Sequence, residues 1–128
     1  MTFPDNSFDL FITQDVFEHI NHPDKAFGEI ARVLKPDGIH IFTVPLYREL
    51  QETRPRIVEK DGEIQLLLEA IYHGNPISIE GSLVTFDYGM DLPEYIFRNS
   101  GMTTTIYFQK DPKIGVDGEF LEVFVSRK

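Results

Sequence analysis

The chain has 128 residues, the size of one domain, with 21 acidic and 12 basic residues and a formal net charge of −9. This charge disfavours binding to nucleic acid or to an anionic membrane surface, because both need a basic face. The absence of cysteine excludes disulfides, thiol nucleophiles and thiolate metal sites. The N-terminal MTFPDNSFD has no apolar signal core, and no apolar run is long enough to span a membrane. We therefore expect a soluble, cytoplasmic protein with a single domain over residues 1–128.

A strand, a helix and a second strand are predicted at the start of the chain. After the turn sequence PDNS, the apolar run at residues 8–16 predicts a strand buried on both faces. Apolar residues at helical spacing follow over residues 23–35, with Pro23 suited to the first turn. The sequence PDG at 36–38 ends this helix, and IHIFTVP at 39–45 predicts another buried strand. Two strands joined by a helix predict a parallel βαβ unit.

Residues 46–90 are predicted to form a long insertion after the second strand. Helical spacing predicts a helix over residues 63–72, ended by the turn sequence YHGNP. Residues 82–88 predict a short strand or an extended segment. Because α/β proteins place substrate-binding loops after the carboxyl ends of strands, we expect part of a site in this insertion. The apolar residues that carry the helical spacing are Ile64, Leu67, Leu68 and Ile71.

A helix and a β-hairpin are predicted at the end of the chain. In the sequence DLPE, Asp91 as N-cap and Glu94 three residues later resemble a capping box, and Gly101 suits the residue after the helix. The β-branched segments at 103–109 and 120–125 predict an antiparallel hairpin with a long loop. The predicted fold is therefore α/β, with about four strands, two parallel and two in the C-terminal hairpin, and flanking helices.

The order of these elements resembles the C-terminal half of a class I S-adenosylmethionine-dependent methyltransferase of the type 11 kind. The resemblance rests on FPDNSFDLFITQDVFEHI, FGEIARVLKPDGIHIFTVP and DLPEYIFRNSGM, and YHGNPISIEGSLVTFDYGMDL is similar to an insertion in a subset of these enzymes. One departure is Asp37, where the family usually has glycine. The resemblance implies a truncated Rossmann-like sheet, S-adenosylmethionine as cofactor, and methyl transfer to a small-molecule acceptor.

The glycine-rich GxGxG loop with which this family holds its cofactor is absent from the sequence. Glycine lets the backbone approach the cofactor closely, and no two of the nine glycines here are separated by one residue. By the resemblance, three strands and their helices would precede residue 1. Two functions follow as hypotheses: an enzyme or enzyme half in methyl transfer, and a non-catalytic module that dimerises or binds a partner.

The same resemblance makes the first strand an edge strand. Its neighbour in the family sheet is one of the strands that this sequence lacks, so residues 8–16 would present unpaired backbone groups. Apolar, unprotected edges associate with other chains. We therefore expect a homodimer, formed either edge to edge or by swapping elements about a two-fold axis.

The sequence QDVFEHINHP at residues 14–23 carries two carboxylates and two histidines. A metal site here would use His19 and His22 with Asp15 or Glu18. However, His22 precedes a proline at a helix start, and no distant histidine–carboxylate cluster is evident in the sequence. A site of three or four ligands is therefore incomplete, and no metal is predicted.

The remaining site hypotheses concern a pocket at the strand ends. Hydrogen bonding of Glu18 and His19 within the following turn is an alternative to a role in ligand binding. His73 is a candidate base or substrate contact, because histidine titrates near neutral pH, and Tyr47 directly follows the second strand. A surface turn and simple packing are their alternatives, and His40 is expected in the core. The resemblance assigns four residues to the cofactor pocket, namely Gln14, Asp15, Val16 and His19.

Overall fold

A computed structural model describes residues 1–74 and 79–128. Within these ranges, neither helix is long and apolar enough to cross a membrane. Single 3₁₀ turns lie at Phe17–His19 and Pro112–Ile114. The strands are β1 (Phe8–Gln14), β2 (Leu34–Thr43), β3 (Arg54–Pro55), β4 (Ile57–Lys60), β5 (Glu63–Leu66), β6 (Tyr72–His73), β7 (Ser82–Leu83), β8 (Phe86–Asp87), β9 (Thr103–Phe108) and β10 (Glu122–Arg127), and the helices are α1 (Pro23–Val33) and α2 (Leu92–Ser100).

The main sheet has the strand order β1-β2-β10-β9. Strands β1 and β2 are parallel, with Ile12 opposite Ile41, as expected for strands joined by a helix. Strand β10 runs antiparallel to both β2 and β9. The predicted α/β architecture, with a parallel pair and a C-terminal antiparallel hairpin, is therefore confirmed, and β1 lies at the sheet edge.

Both helices pack on the same face of this sheet. Phe27 from α1 and Ile96 from α2 are fully buried in one core with Phe42 and Phe124 of the sheet. The rings of Phe42 and Phe124 stack with centroids 5.0 Å apart. Helix α2 ends where Gly101 adopts a left-handed φ of 73°, as the sequence predicts.

The opposite face of the sheet is largely open. Leu10 and Ile12 of β1 are 45% and 64% exposed, and Ile41 and Val125 beside them are only partly buried. The prediction that residues 8–16 are buried on both faces is wrong, because α1 and α2 both cover the other face. The apolar character of this strand therefore creates an exposed apolar stripe across the sheet.

The junction between α1 and β2 is tighter than the sequence suggests. The helix ends at Val33 and the strand begins at Leu34, so residues 36–38 lie within β2 and not in a separating turn. Leu34 pairs with Phe8 while Ile39 pairs with Leu10, and the extra residues form a bulge in the parallel register. This bulge includes the PDG sequence that was expected to form a turn.

The predicted helix over residues 63–72 is wrong. Strands β4 and β5 form an antiparallel hairpin whose two turn residues, Asp61 and Gly62, have φ values of 53° and 79°. Positive φ at both positions matches the twist of two hairpin strands. The predicted extended segment at 82–88 contains β7 and β8, which pair with β6 and β3. Asn75 and Pro76, the end of the expected YHGNP turn, lie outside the described residues.

Polar contacts attach the insertion to α2. The Asp91 carboxylate accepts hydrogen bonds from the backbone N–H and the hydroxyl of Thr53, at 2.6 and 2.7 Å, and makes no cap to α2. The predicted capping box is therefore not formed. Nearby, the buried carboxylate of Asp87 accepts hydrogen bonds from Arg54 and Arg56. These contacts fix the segment that leads from β8 into α2.

Candidate functional site

The parallel strands β1 and β2 end at one edge of the sheet, where the 3₁₀ turn at Phe17–His19 follows β1. Because β10 is antiparallel to β2, the residues before β10 reach the same edge. A pocket of about 460 Å³ lies there, a volume within the usual range of small-molecule sites. Its lining includes Asp15, Glu18, His19, Tyr47, His73 and Phe120.

The insertion holds the 3₁₀ turn in place. Thr85 donates a backbone hydrogen bond to the carbonyl of Glu18 at 2.7 Å, and its hydroxyl donates to the carbonyl of Ile20 at 2.9 Å. The Tyr88 hydroxyl donates to the carbonyl of Phe17 at 2.9 Å. The bonds from Thr85 pair the carbonyls of Glu18 and Ile20, whereas the Phe17 carbonyl also accepts from the N–H of Ile20. The position of the turn therefore depends on a segment more than 60 residues later in the chain.

Asp15 has an unusual backbone at the end of β1. Its φ is 50°, in the left-handed region that aspartate tolerates better than most residues. Its N–H donates to the carbonyl of Thr43 at 3.2 Å, and the Thr43 hydroxyl donates to its Oδ1 at 2.8 Å. The neighbouring strand thus holds the Asp15 carboxylate at the rim of the pocket.

Glu18 is a buried carboxylate with no hydrogen-bond partner among the described residues. The residue is 1% exposed, and both of its carboxylate oxygens lack a donor. Burial raises the pKa of Glu18, because desolvation disfavours the charged form. Its Oε1 lies 3.8 Å from Nε2 of His19 and 3.8 Å from Nδ1 of His73.

The two histidines at this carboxylate are oriented by the backbone. Nδ1 of His19 lies 2.8 Å from the carbonyl oxygen of Leu83, which only accepts hydrogen bonds, so Nδ1 carries the proton and Nε2 faces Glu18. His73 is placed by the pairing of β6 with β7, and its ring is perpendicular to that of His19 with centroids 5.0 Å apart. Burial, and then the proximity of His19, lower the pKa of His73, which favours its neutral form.

The comparisons with known proteins agree with this topology. Residues 1–42 match the methyltransferase domain family. Over 118 residues the chain is 28% identical to a ubiquinone/menaquinone biosynthesis C-methyltransferase of Hydrogenovibrio crunogenus, covering 80% of this chain and 46% of that protein. An S-adenosylmethionine-dependent methyltransferase from Mesorhizobium loti has the same fold over 100% of this chain and 65% of its own, with a TM-score of 0.63 at 14% identity. The chain therefore has the fold of the S-adenosylmethionine-dependent methyltransferases and resembles their family most clearly in its first 42 residues.

A second solved structure extends the same comparison. The 1,6-didemethyltoxoflavin-N1-methyltransferase of Burkholderia thailandensis, with bound 1,6-didemethyltoxoflavin and S-adenosylhomocysteine, aligns over 97% of this chain and 45% of its own. The TM-score is 0.55 and the identity is 16%, which shows a shared fold. This chain spans about half the length of the curated relative that it matches.

Four of the six site residues expected from the sequence line one pocket. Asp15 and His19 reach it from β1 and the 3₁₀ turn, whereas Tyr47 and His73 reach it from the insertion. Val16 instead lines an apolar pocket beside α1, and Gln14 is exposed on β1. The roles of all six residues in binding or catalysis stay predictions.

His22 lies apart from this pocket and pairs with Glu59, with Nε2 3.3 Å from Oε2. The pair of His19 and His22 considered for a metal is therefore not formed. His73 takes the place of His22 beside His19, although it lies far away in the sequence. Strand pairing within the insertion brings it there, and the sequence carries no local signal for this contact.

Phe120 and Glu119 also line the pocket, but neither was predicted from the sequence to be a site residue. The ring of Phe120 packs edge-on against Tyr47, with centroids 5.5 Å apart. Burial raises the pKa of Tyr47, so its hydroxyl keeps its proton at neutral pH. A signal for Phe120 was available, because an antiparallel last strand enters the sheet at the edge where the parallel strands end.

Proposed function

We propose that this chain takes part in S-adenosylmethionine-dependent methyl transfer to a small-molecule acceptor. One observation carries the proposal: Asp15, His19, Tyr47 and His73 converge on a single pocket at the carboxyl edge of β1 and β2. Open α/β sheets bind ligands at this edge, outside the carboxyl ends of their parallel strands. The resemblance to methyltransferases supports the reaction class, and the acceptor is left open.

The rim formed by Asp15 and His19 is the side of the pocket that would face the methyl donor. S-adenosylmethionine, when bound, supplies a methyl group made electrophilic by its sulfonium sulfur. The held Asp15 carboxylate is a hydrogen-bond acceptor and a negative charge near the site of such a cation. Because no GxGxG loop occurs in the sequence, this chain would supply only the part of the donor site nearest the methyl group.

The acceptor side is formed by the insertion at residues 46–90. His73 is partly buried with a lowered pKa, so a neutral imidazole is available to accept a proton from an acceptor. Tyr47 keeps its hydroxyl proton and is suited to donate a hydrogen bond. We propose that residues 1–128 fold as one domain in the cytoplasm, with the insertion positioning the acceptor against the strand ends.

Calorimetry with S-adenosylhomocysteine tests the donor site. We expect micromolar binding with one site per chain. Asp15→Asn should lose about tenfold or more, because the amide keeps the shape of the carboxylate but is a weaker acceptor for the ammonium and hydroxyl donors of the ligand. The matched control is Asp37→Asn, because Asp37 also has a positive φ of 63° but lies in the bulge of β2. Asparagine tolerates this backbone at both positions. No binding at millimolar ligand would exclude a donor site in this chain alone.

A second candidate function is favoured by the open face of the sheet. An apolar stripe runs from the exposed Ile12 in the edge strand β1 to the half-buried Ile41 and Val125, and both the stripe and the free edge promote association. We propose that the chain forms a homodimer through this region, with or without catalysis. A chain that dimerises but binds no S-adenosylhomocysteine would be a non-catalytic module derived from a methyltransferase.

A further inference from the structure

The buried carboxylate of Glu18 has no role in the methyl-transfer proposal. Buried polar atoms in folded proteins nearly always have a partner, and a carboxylate without one carries a large desolvation cost. Both Glu18 oxygens lack a donor among the described residues. The side chain is only 2% exposed, so solvent does not replace the missing donor. A missing partner with positive charge would remove this cost.

The nearest groups to this carboxylate are the ring nitrogens of two histidines. One ligand atom from each of Glu18, His19 and His73 lies within 4.8 Å of the other two. Ligands at about 2.1 Å from a single ion are at most about 4.2 Å apart, so the cluster closes on an ion with side-chain shifts of under about 1 Å. We propose that Glu18, His19 and His73 bind a divalent transition-metal cation.

The groups behind these ligands are arranged as in metal sites. The Leu83 carbonyl accepts the Nδ1 proton of His19, which leaves the lone pair of Nε2 directed at Glu18. Metal-binding histidines commonly donate their second N–H to a backbone carbonyl in this way, which fixes the tautomer and the ring orientation. Thr85 fixes the backbone of the same turn through the Glu18 carbonyl. The ring of His19 and the backbone of Glu18 are therefore held in place before an ion binds.

The ligand types select the class of cation. Two imidazoles and one carboxylate suit Zn²⁺, Fe²⁺, Co²⁺ or Ni²⁺, whereas Ca²⁺ and Mg²⁺ prefer oxygen ligands. Three protein ligands leave at least one coordination position, and the cluster lines the pocket of about 460 Å³. The open position faces the space assigned above to the methyl acceptor, so the ion would take an oxygen or nitrogen atom of that molecule.

This role toward the acceptor rests on the proposed function, whereas binding of the ion does not. With an ion bound, His73 would be a ligand and could not accept a proton. Ion binding would therefore replace the role as a base that is proposed for His73 above. Titration of the ion and titration of S-adenosylhomocysteine are separate measurements. Failure of one therefore leaves the other result standing.

Calorimetric titration of the chelator-treated, dialysed 128-residue chain with Zn²⁺, and with Co²⁺ followed by its visible absorption, tests the site. We expect one ion per chain and much weaker binding of Mg²⁺. Glu18→Gln and His73→Ala should each weaken Zn²⁺ binding by about tenfold or more, because each removes a ligand. His73 is partly exposed, so its replacement also serves if the Glu18 variant fails to fold.

His22→Ala is the matched control, because His22 pairs with the carboxylate of Glu59 outside the cluster. We expect this variant to bind Zn²⁺ as the unmodified chain does. A chain that takes up no Zn²⁺ or Co²⁺ at micromolar ion, or equal weakening in the His22 and His73 variants, would overturn the proposal. Circular dichroism of each variant separates lost ligands from lost fold.

Discussion

Glu18 is buried where a carboxylate costs stability, and residues of this kind are typical of functional sites. The charged form of Glu18 is disfavoured in the folded chain, because burial raises its pKa by more than a backbone hydrogen bond and the nearby His19 lower it. In the absence of metal, Glu18→Gln should therefore raise the free energy of unfolding by about 1–2 kcal/mol at neutral pH. Urea unfolding of the chelator-treated chains measures this. A destabilised Gln variant would show that the carboxylate already has a structural partner.

His40 makes the free energy of unfolding depend on pH, and a substitution at this residue can separate its contribution from those of other groups. The side chain is fully buried in β2, stacked on Phe42 with centroids 4.6 Å apart, and burial lowers its pKa from 6.5 to about 3. The unfolded chain therefore binds a proton that the folded chain does not, and stability falls as the pH drops from 6.5 toward 3.

His40→Leu should remove this part of the pH dependence. Between pH 7 and about pH 5, the unmodified chain should lose up to about 2 kcal/mol more unfolding free energy than the variant. Urea unfolding at the two pH values gives both differences. His22→Ala, at an exposed histidine, should keep the dependence of the unmodified chain. If the His40→Leu and unmodified chains lost the same unfolding free energy, groups other than His40 would cause the pH dependence.

Individual elements differ in how far local sequence determines them. Strand β1, helix α1 and the hairpin of β9 and β10 follow from local patterns, because apolar periodicity and turn residues agree there. The segment at 63–72 has a helical apolar spacing, yet the Asp61–Gly62 turn forms a hairpin ahead of it. The Asp-Gly pair is a strong hairpin signal, and it should have outweighed a periodicity carried by four residues.

The site was predictable only where it depends on the parallel strands. Asp15 and His19 follow β1 directly, so topology alone places them at the ligand-binding edge. His73 reaches the same pocket because β6 pairs with β7, and Glu18 is buried because Thr85 and neighbouring residues cover its turn. These are contacts between segments distant in sequence, which a local pattern does not encode.

Two glycines in the insertion form a matched pair for testing how β6 and β7 position His73. Gly62 and Gly81 have nearly the same φ, +79° and +81°, but a Cβ at Gly62 would meet nothing within 4 Å. A Cβ at Gly81 would clash with the carbonyl oxygen of His73. Alanine should cost about 1 kcal/mol at Gly62 from backbone strain alone, and clearly more at Gly81.

Gly81→Ala should also weaken Zn²⁺ binding, because relief of the clash moves the His73 backbone away from its partner strand. Gly62→Ala should bind Zn²⁺ as the unmodified chain does, although its turn carries the same backbone strain. Thermal unfolding and calorimetry of the two variants provide the comparison. Equal destabilisation with unchanged Zn²⁺ affinity in both would show that β6 is held by contacts other than its pairing with β7.

On the scale of the whole molecule, the sheet is covered on one side only. Helices α1 and α2 share one face, whereas parallel sheets are usually covered on both. The uncovered stripe is continuous, because Ile41 is the register partner of both Ile12 and Val125. This chain spans 46% of its curated relative and 65% of the solved structure from Mesorhizobium loti. A molecule with this open face is expected to bury it against another polypeptide.

The homodimer hypothesis predicts the mass of the purified chain in solution and the change in this mass when one charged residue is introduced. Light scattering coupled to gel filtration should give twice the chain mass of 14.8 kDa over a range of concentrations. Ile12→Lys places a charge in the exposed stripe on β1 and should shift the chain to monomer, because burial of an unpaired ammonium group is costly. Ile114→Lys is the control, since Ile114 is 74% exposed in the loop before β10. A stable monomer of the unmodified chain at high concentration would contradict the hypothesis, whereas a dimer that persists in Ile12→Lys would place the contact elsewhere.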